Sequence, residues 1–130
     1  MQQQIIVTDL DFERLEGLIE NYHGYEKIEQ ELKNACVVAK EEVPKDVVTM
    51  NSEIEFMDQM TNSKLEATLV YPTDVTKKRK GLSVSDSLGS KILGRREGDN
   101  IEWVSENGIT KFITILKVVY QPEANGDWDL

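Results

Sequence analysis

The chain has 130 residues, 39% of them hydrophobic, with 24 acidic against 15 basic residues and a formal charge of -9. That size fits one domain or a domain with a small appendage, and two Trp, four Tyr and three Phe supply a core that disordered chains lack. No apolar run approaches the ~20 residues of a membrane span, the N-terminus has no basic start of a secretory signal, and the lone Cys36 can form neither an internal disulfide nor a metal cage, so a cytoplasmic protein without membrane contact is expected.

In the first segment Leu15, Leu18, Ile19 and Tyr22 recur at i, i+3, i+4 and i+7, the spacing that lines up one face of a helix. This predicts a helix over 9–21, with Thr8 as N-cap and Asp11 in its first turn, where free backbone N–H groups favour negative charge. Gly24 supplies the break. Ile28, Leu32, Ala35, Cys36 and Ala39 mark a second helix that Pro44 closes, placing Cys36 on a buried apolar face. Residues 1–43 are thus expected to form a short antiparallel helical hairpin.

After Pro44 the period changes from 3.6 to 2 and β-branched residues dominate, predicting strands over 47–50, 53–56, 65–71 and 82–84. Asn62-Ser63 is the expected turn between the second and third of these, and Pro72 ends the third. A short helix capped by Asp86 or Ser87 should run to Gly94. Gly98-Asp99 then turns the chain, and 101–104 and 111–120 flank Asn107-Gly108, the dipeptide suited to a two-residue turn with positive φ. The tail from 121 on is expected to be extended or loosely packed. The class is α+β: a helical hairpin, then over 44–130 an antiparallel sheet of five or six strands with one short helix across it.

Charge is unevenly spread. Between Lys77 and Arg96 seven basic residues face Asp86 alone, while the rest of the chain is acidic. A pI near 4.6 argues against general or sequence-specific nucleic-acid binding. The run Lys77-Lys78-Arg79-Lys80 reads either as a solvated loop tip or as a docking patch.

No reacting site emerges. His23, the one histidine, sits beside Gly24 at a turn. Gly89, Gly94 and Gly98 match no phosphate-binding loop. Asp9, Asp11, Glu13, Glu16 and Glu20 lack the alternating oxygen pattern of a calcium loop and form a helix's polar face. The chain reads as a non-enzymatic binding protein, a monomer needing no cofactor or metal.

One stretch carries more. Ser85-Asp86-Ser87-Leu88-Gly89, Ile92-Leu93-Gly94 and Glu97-Gly98-Asp99 resemble the C-terminal domain of the Gre transcript cleavage factors, with its serine-proline-leucine-glycine turn, leucine-leucine-glycine helix end and valine-glycine-aspartate turn. With Asp46-Val47-Val48-Thr49-Met50-Asn51-Ser52 upstream and Tyr120-Gln121-Pro122-Glu123-Ala124 downstream, the likeness covers nearly the whole chain and is closer still to the Rnk branch of that superfamily, the regulators of nucleoside diphosphate kinase.

The resemblance implies an FKBP-like C-terminal domain after a short coiled coil, in a protein that binds RNA polymerase at the rim of its secondary channel. It places the polymerase-facing loop on Ser85, Asp86, Ser87 and Leu88, with Ser87 in place of the family's proline, and Arg95 and Arg96 on a basic edge that steers docking. In Gre factors a long hairpin carries an acidic tip that helps hold a catalytic magnesium ion. Here the tip is Asn21-Tyr22-His23-Gly24-Tyr25 with Glu20 and Glu26 beside it, on a helix of only ~20 Å, which implies exclusion of longer effectors without transcript cleavage. Two other readings stand beside it. One is a prolyl isomerase using aromatics among Phe56, Tyr71, Trp103, Phe112, Tyr120 and Trp128, and the other an acidic interaction module for a different partner.

Overall fold

The computed structural model describes residues 4–78 and 80–127, so Arg79 of the basic run and Trp128 of the aromatic set lie outside the described residues. The chain runs β1 (Ile6–Thr8), α1 (Asp9–Asn21), α2 (Glu26–Leu32), β2 (Cys36–Val38), β3 (Glu53–Asp58), β4 (Ser63–Val70), β5 (Gly81–Ser83), α3 (Gly89–Ile92), β6 (Asn100–Val104) and β7 (Thr110–Tyr120). Short 3-10 turns occupy Lys40–Glu42, Pro72–Asp74 and Glu123–Asn125.

Helix α1 has the predicted bounds and cap: the Thr8 hydroxyl accepts from the Asp11 N–H at 3.1 Å. The second helix is shorter than its apolar spacing suggested, ending at Leu32. Beyond it Cys36–Val38 pair in parallel with Ile6–Thr8, because β-branched Val37 and Val38 fit a ladder better than a helix. Cys36 is consequently exposed rather than buried. No described helix is long and apolar enough to cross a membrane.

Five strands form the main sheet in the order β5-β4-β3-β7-β6. Its pairings are antiparallel except β4 with β5, which run parallel with Thr68 opposite Gly81. The strand expected over 47–50 reduces to one bridge, Val47 to Arg96. Its backbone is committed elsewhere, Val48 N–H to the Arg95 carbonyl at 2.8 Å, Met50 N–H to the Asp11 carboxylate at 3.1 Å, and Asn51 N–H to the Leu69 carbonyl at 2.6 Å.

One turn and the tail also differ from expectation. Gly108 takes positive φ but Asn107 does not, and Gly108 N–H donates to the Ser105 carbonyl at 2.9 Å while Ser105 N–H donates to the Ile109 carbonyl. This is the longer hairpin connection with one left-handed glycine, not the two-residue turn. The tail is anchored: buried Gln121 donates its side-chain amide to the carbonyls of Pro44 and Val47, both at 2.8 Å, and Glu123 accepts from the Thr49 hydroxyl at 2.7 Å.

A single apolar cluster joins both parts of the chain. Ile5, Val7, Leu15, Ile28 and Leu32 pack with Ile54, Leu69, Ile92, Ile113 and Ile115. The N-terminal helices therefore lie against the sheet domain.

Candidate docking site

The loop singled out by sequence lies between β5 and α3, and glycines set its shape. A Cβ on Gly89 would stand 1.9 Å from the Ser83 carbonyl oxygen, so only glycine lets α3 begin that close to β5. At the other end of α3, Gly94 takes φ +80, and a Cβ there would meet Ile5 and the Ile6 backbone below 3 Å. The Gly94 carbonyl accepts from Ile6 N–H at 3.2 Å, so the same glycine seats β1.

Within the loop the Ser83 hydroxyl accepts from Ser85 N–H at 3.2 Å, and Asp86 N–H donates to the Ser83 carbonyl at 3.1 Å. Neither Asp86 nor Ser87 caps α3, whose N-cap position is Leu88 with no side-chain hydrogen bond. Asp86 is exposed, Leu88 is half-buried against the core, and buried Ser87 points its hydroxyl to the Glu106 carboxylate at 2.7 Å. Lys27 of α2 reaches the same carboxylate at 3.7 Å. The Ser87 hydroxyl, and after it the Lys27 ammonium, hold Glu106 below the usual carboxylate range. The loop is thus tied to both α2 and the β6–β7 turn.

Arg95 and Arg96, neighbours in sequence, have separate partners. Arg95 lies against α2, where Glu31 receives both Lys91 at 2.9 Å and Arg95 at 3.5 Å. Arg96 makes a two-pronged pair with Asp46 at 2.9 and 3.0 Å, which raises the guanidinium pKa. Lys77 pairs with Asp74 and Lys80 with Glu66 at exposed positions.

A groove of about 730 Å³ runs beside the loop between α2, α3 and β6. Lys27, Glu31, Lys91 and Arg95 line its helical side and the whole of β6 its strand side. Trp103 lines it too, and its buried indole N–H finds no acceptor among the described residues. Sequence reasoning missed this groove, because its walls come from three separated segments. The signal available was the basic content of 91–96.

Tyr25 of the hairpin tip and Ser87 of the loop line different hollows. Glu20, Tyr22, His23 and Glu26 are exposed, whereas Tyr25 is half-buried against the core and beside Leu18, Tyr71 and Pro72. Burial, followed by the neighbouring Tyr22, raises the Tyr25 hydroxyl pKa. Among the described residues no group of three or more His, Cys, Asp or Glu is placed to hold a metal ion. The aromatics do not converge: Phe56 is in the core, Phe112 is exposed and Tyr120 donates to Asp127 at 2.6 Å. With Trp103 and Tyr71 in different hollows, the described members of the set line no common cleft for a bound proline.

Comparison with known proteins adds independent findings. The family model of the C-terminal region of transcription elongation factors GreA/GreB matches residues 43–120, and that of the Rnk N-terminus matches residues 3–38. The regulator of nucleoside diphosphate kinase of Escherichia coli K12 is 40% identical over 129 residues, covering 95% of each chain. GreA of Clostridium botulinum is 30% identical over 86 residues, which span 66% of this chain and 54% of that one. A GreA/GreB elongation factor structure from Nitrosomonas europaea superposes with a TM-score of 0.74 at 39% identity, covering 92% of this chain and 100% of that one.

Proposed function

We propose that this chain, which belongs to the GreA/GreB family and carries an Rnk-type N-terminus, is a non-enzymatic transcription regulator that binds RNA polymerase at the rim of the secondary channel. It docks through the Gre-type region, with the exposed face of the 85–88 loop at the contact, and competes there with longer Gre factors. The observation that carries this reading is the pairing of a Gre-type C-terminal region with an N-terminal segment that packs into the same core.

Reach decides the mechanism. Helices of 13 and 7 residues extend only ~20 and ~10 Å at 1.5 Å per residue. A carboxylate must come within ~2 Å of a magnesium ion to ligate it. Glu20 and Glu26, on helices whose Leu15 and Ile28 are fully buried, remain at the channel entrance. The protein therefore excludes competitors without stimulating transcript cleavage.

Ser87 tunes the affinity. Its hydroxyl holds Glu106, while its N–H makes none of the loop's backbone bonds, so a proline there removes no backbone hydrogen bond of the loop. The test is titration of core RNA polymerase carrying a fluorescently labelled Gre factor, with the wild type and with Ser87→Pro. Displacement without cleavage supports exclusion, and a tighter Ser87→Pro places the docking loop. No displacement by folded protein at micromolar concentration removes polymerase from the function.

A further inference from the structure

Helices α1 and α2 send Leu15 and Ile28 into the core and leave a separate seam beside that contact. Phe12, Ile19 and Leu32 supply its apolar floor, and Glu16, Glu20, Glu29 and Lys33 its rim, around a groove of about 310 Å³. Phe12 and Ile19 are half-buried, with their other sides packed against the core. From Phe12 to Ile19 the floor extends ~10 Å along the helix. The volume is at the lower end of the ~300–1,000 Å³ of ligand clefts, which suits one or two side chains of an incoming segment.

The rim decides which side chains those are. Its four charged residues are exposed, and none of them has an ion-pair partner among the described residues. Three carboxylates therefore stand against one ammonium without internal compensation. The basic residues within the two helices lie elsewhere: Arg14 lines the hollow beside Tyr71, and Lys27 reaches Glu106 at 3.7 Å. Glu13, Glu16 and Glu20 also follow one another at i, i+3 and i+7 along α1, a spacing at which like charges repel. Glu20 falls in the last turn, which holds no basic residue and where the helix dipole disfavours an anion. Cations brought from outside relieve both penalties.

The carboxylates are spread along the groove. Among the described residues no group of three or more such ligands is placed to hold one metal ion, so the rim matches several separate cations carried on one chain. The floor between them matches an apolar side chain of that same chain.

We propose that this groove docks a basic segment of a partner protein, with an apolar side chain of the segment on Phe12, Ile19 and Leu32 and its lysine and arginine heads at Glu16, Glu20 and Glu29. Burial of the apolar contact holds the segment, and charge complementarity selects it and speeds encounter. The site shares no residue with the groove beside the 85–88 loop, and it does not depend on the partner being polymerase.

The experiment uses the full chain and a fluorescein-labelled short peptide in which each leucine is flanked by arginine and lysine. Anisotropy is read for this peptide and for a counterpart with glycine in place of leucine. Each is titrated with the wild type, with Glu16→Gln plus Glu20→Gln, and with Glu41→Gln plus Glu42→Gln, which removes the same charge from an exposed turn outside the groove. Binding is expected at a Kd on the order of 10–100 μM. It should weaken at least about fivefold for the first double variant and for the glycine peptide, and less than about twofold for the second double variant. The first double variant should be no less stable to urea than the wild type, because it removes like-charge repulsion, so lost binding is not lost folding. Amide signals of residues 12–20 and 29–33 should shift when the peptide is added. Equal weakening by the two double variants, equal binding of the glycine peptide, no binding at millimolar peptide, or shifts confined to other residues overturns the proposal. So does full displacement by equimolar spermidine, which would assign the rim to a free polyamine. Self-association of the chain that Glu16→Gln plus Glu20→Gln abolishes also overturns it, assigning the groove to a second copy.

Discussion

Asp11 is a carboxylate placed where water cannot reach it, and that placement sets its protonation. It is 4% exposed and accepts from Met50 N–H at 3.1 Å. Burial, opposed by the Met50 bond and reinforced by nearby Glu123, raises its pKa from 3.8 to about 6. Thr8, Arg14 and Tyr71 are the other groups around it. Because the folded state binds the proton more tightly than the unfolded one, Asp11 favours folding more as pH falls from about 6 towards 3.8, and costs roughly 3 kcal/mol above that window. Asn keeps an acceptor for Met50 N–H without the charge. Asp11→Asn is therefore expected to be more stable than the wild type at pH 7, by about 1–2 kcal/mol after hydrogen-bond losses, with a flatter pH dependence between pH 7 and 5. Urea midpoints at the two pH values check this, and a less stable Asn variant at pH 7 contradicts it. At the same scale Gly89 and Gly94 show why two glycines recur in the loop motif: one is needed for approach, the other for both approach and positive φ.

Among the elements, α2 is the piece that joins the N-terminal segment to the docking region. Ile28 and Leu32 go into the core, while Glu31 draws Lys91 of α3 and Arg95 just beyond it towards α2. Its carboxylate is largely enclosed, so removing it leaves two cations without their acid in a partly desolvated place. Glu31→Ala is expected to cost about 1–3 kcal/mol and to raise hydrogen exchange selectively in α2 and α3. An unchanged denaturation midpoint would show that the three charges are solvated independently.

This element also marks where the sequence stopped being readable. Helix α1 was legible because N-cap, period and stop all fall between Thr8 and Gly24. Residues 35–39 satisfy a helical stripe equally well, and what makes Cys36–Val38 a strand is its pairing with Ile6–Thr8, some 30 residues away. Likewise 47–50 has strand composition, but the carboxylate of Asp11 and the carbonyl of Arg95 claim its N–H groups. The motif residues 85–89 and 92–94 were visible as a pattern, yet the groove beside them depends on a helix, a turn and an edge strand meeting in space.

At the scale of the molecule, the change of period at Pro44 suggests two units, while the packing joins them in one apolar cluster. Leu15 of α1 is fully buried in the same cluster as Leu69, Ile92 and Ile115 of the C-terminal part. Asp11, Thr49 and Glu123 add polar ties among α1, the 49–52 turn and the tail. A hairpin that folded separately would melt by itself, and its loss would leave the sheet intact. A shared core predicts the opposite: helical circular dichroism and Trp103-centred side-chain signals should change together in urea. Leu15→Ala, which removes a fully buried side chain, should cost about 2–5 kcal/mol and shift both transitions equally. If the helical signal alone moved, the N-terminal segment would be an independent arm, and the argument from limited reach would lose its basis. A common shift keeps the helices on the domain, where they occupy an entrance and cannot probe an interior.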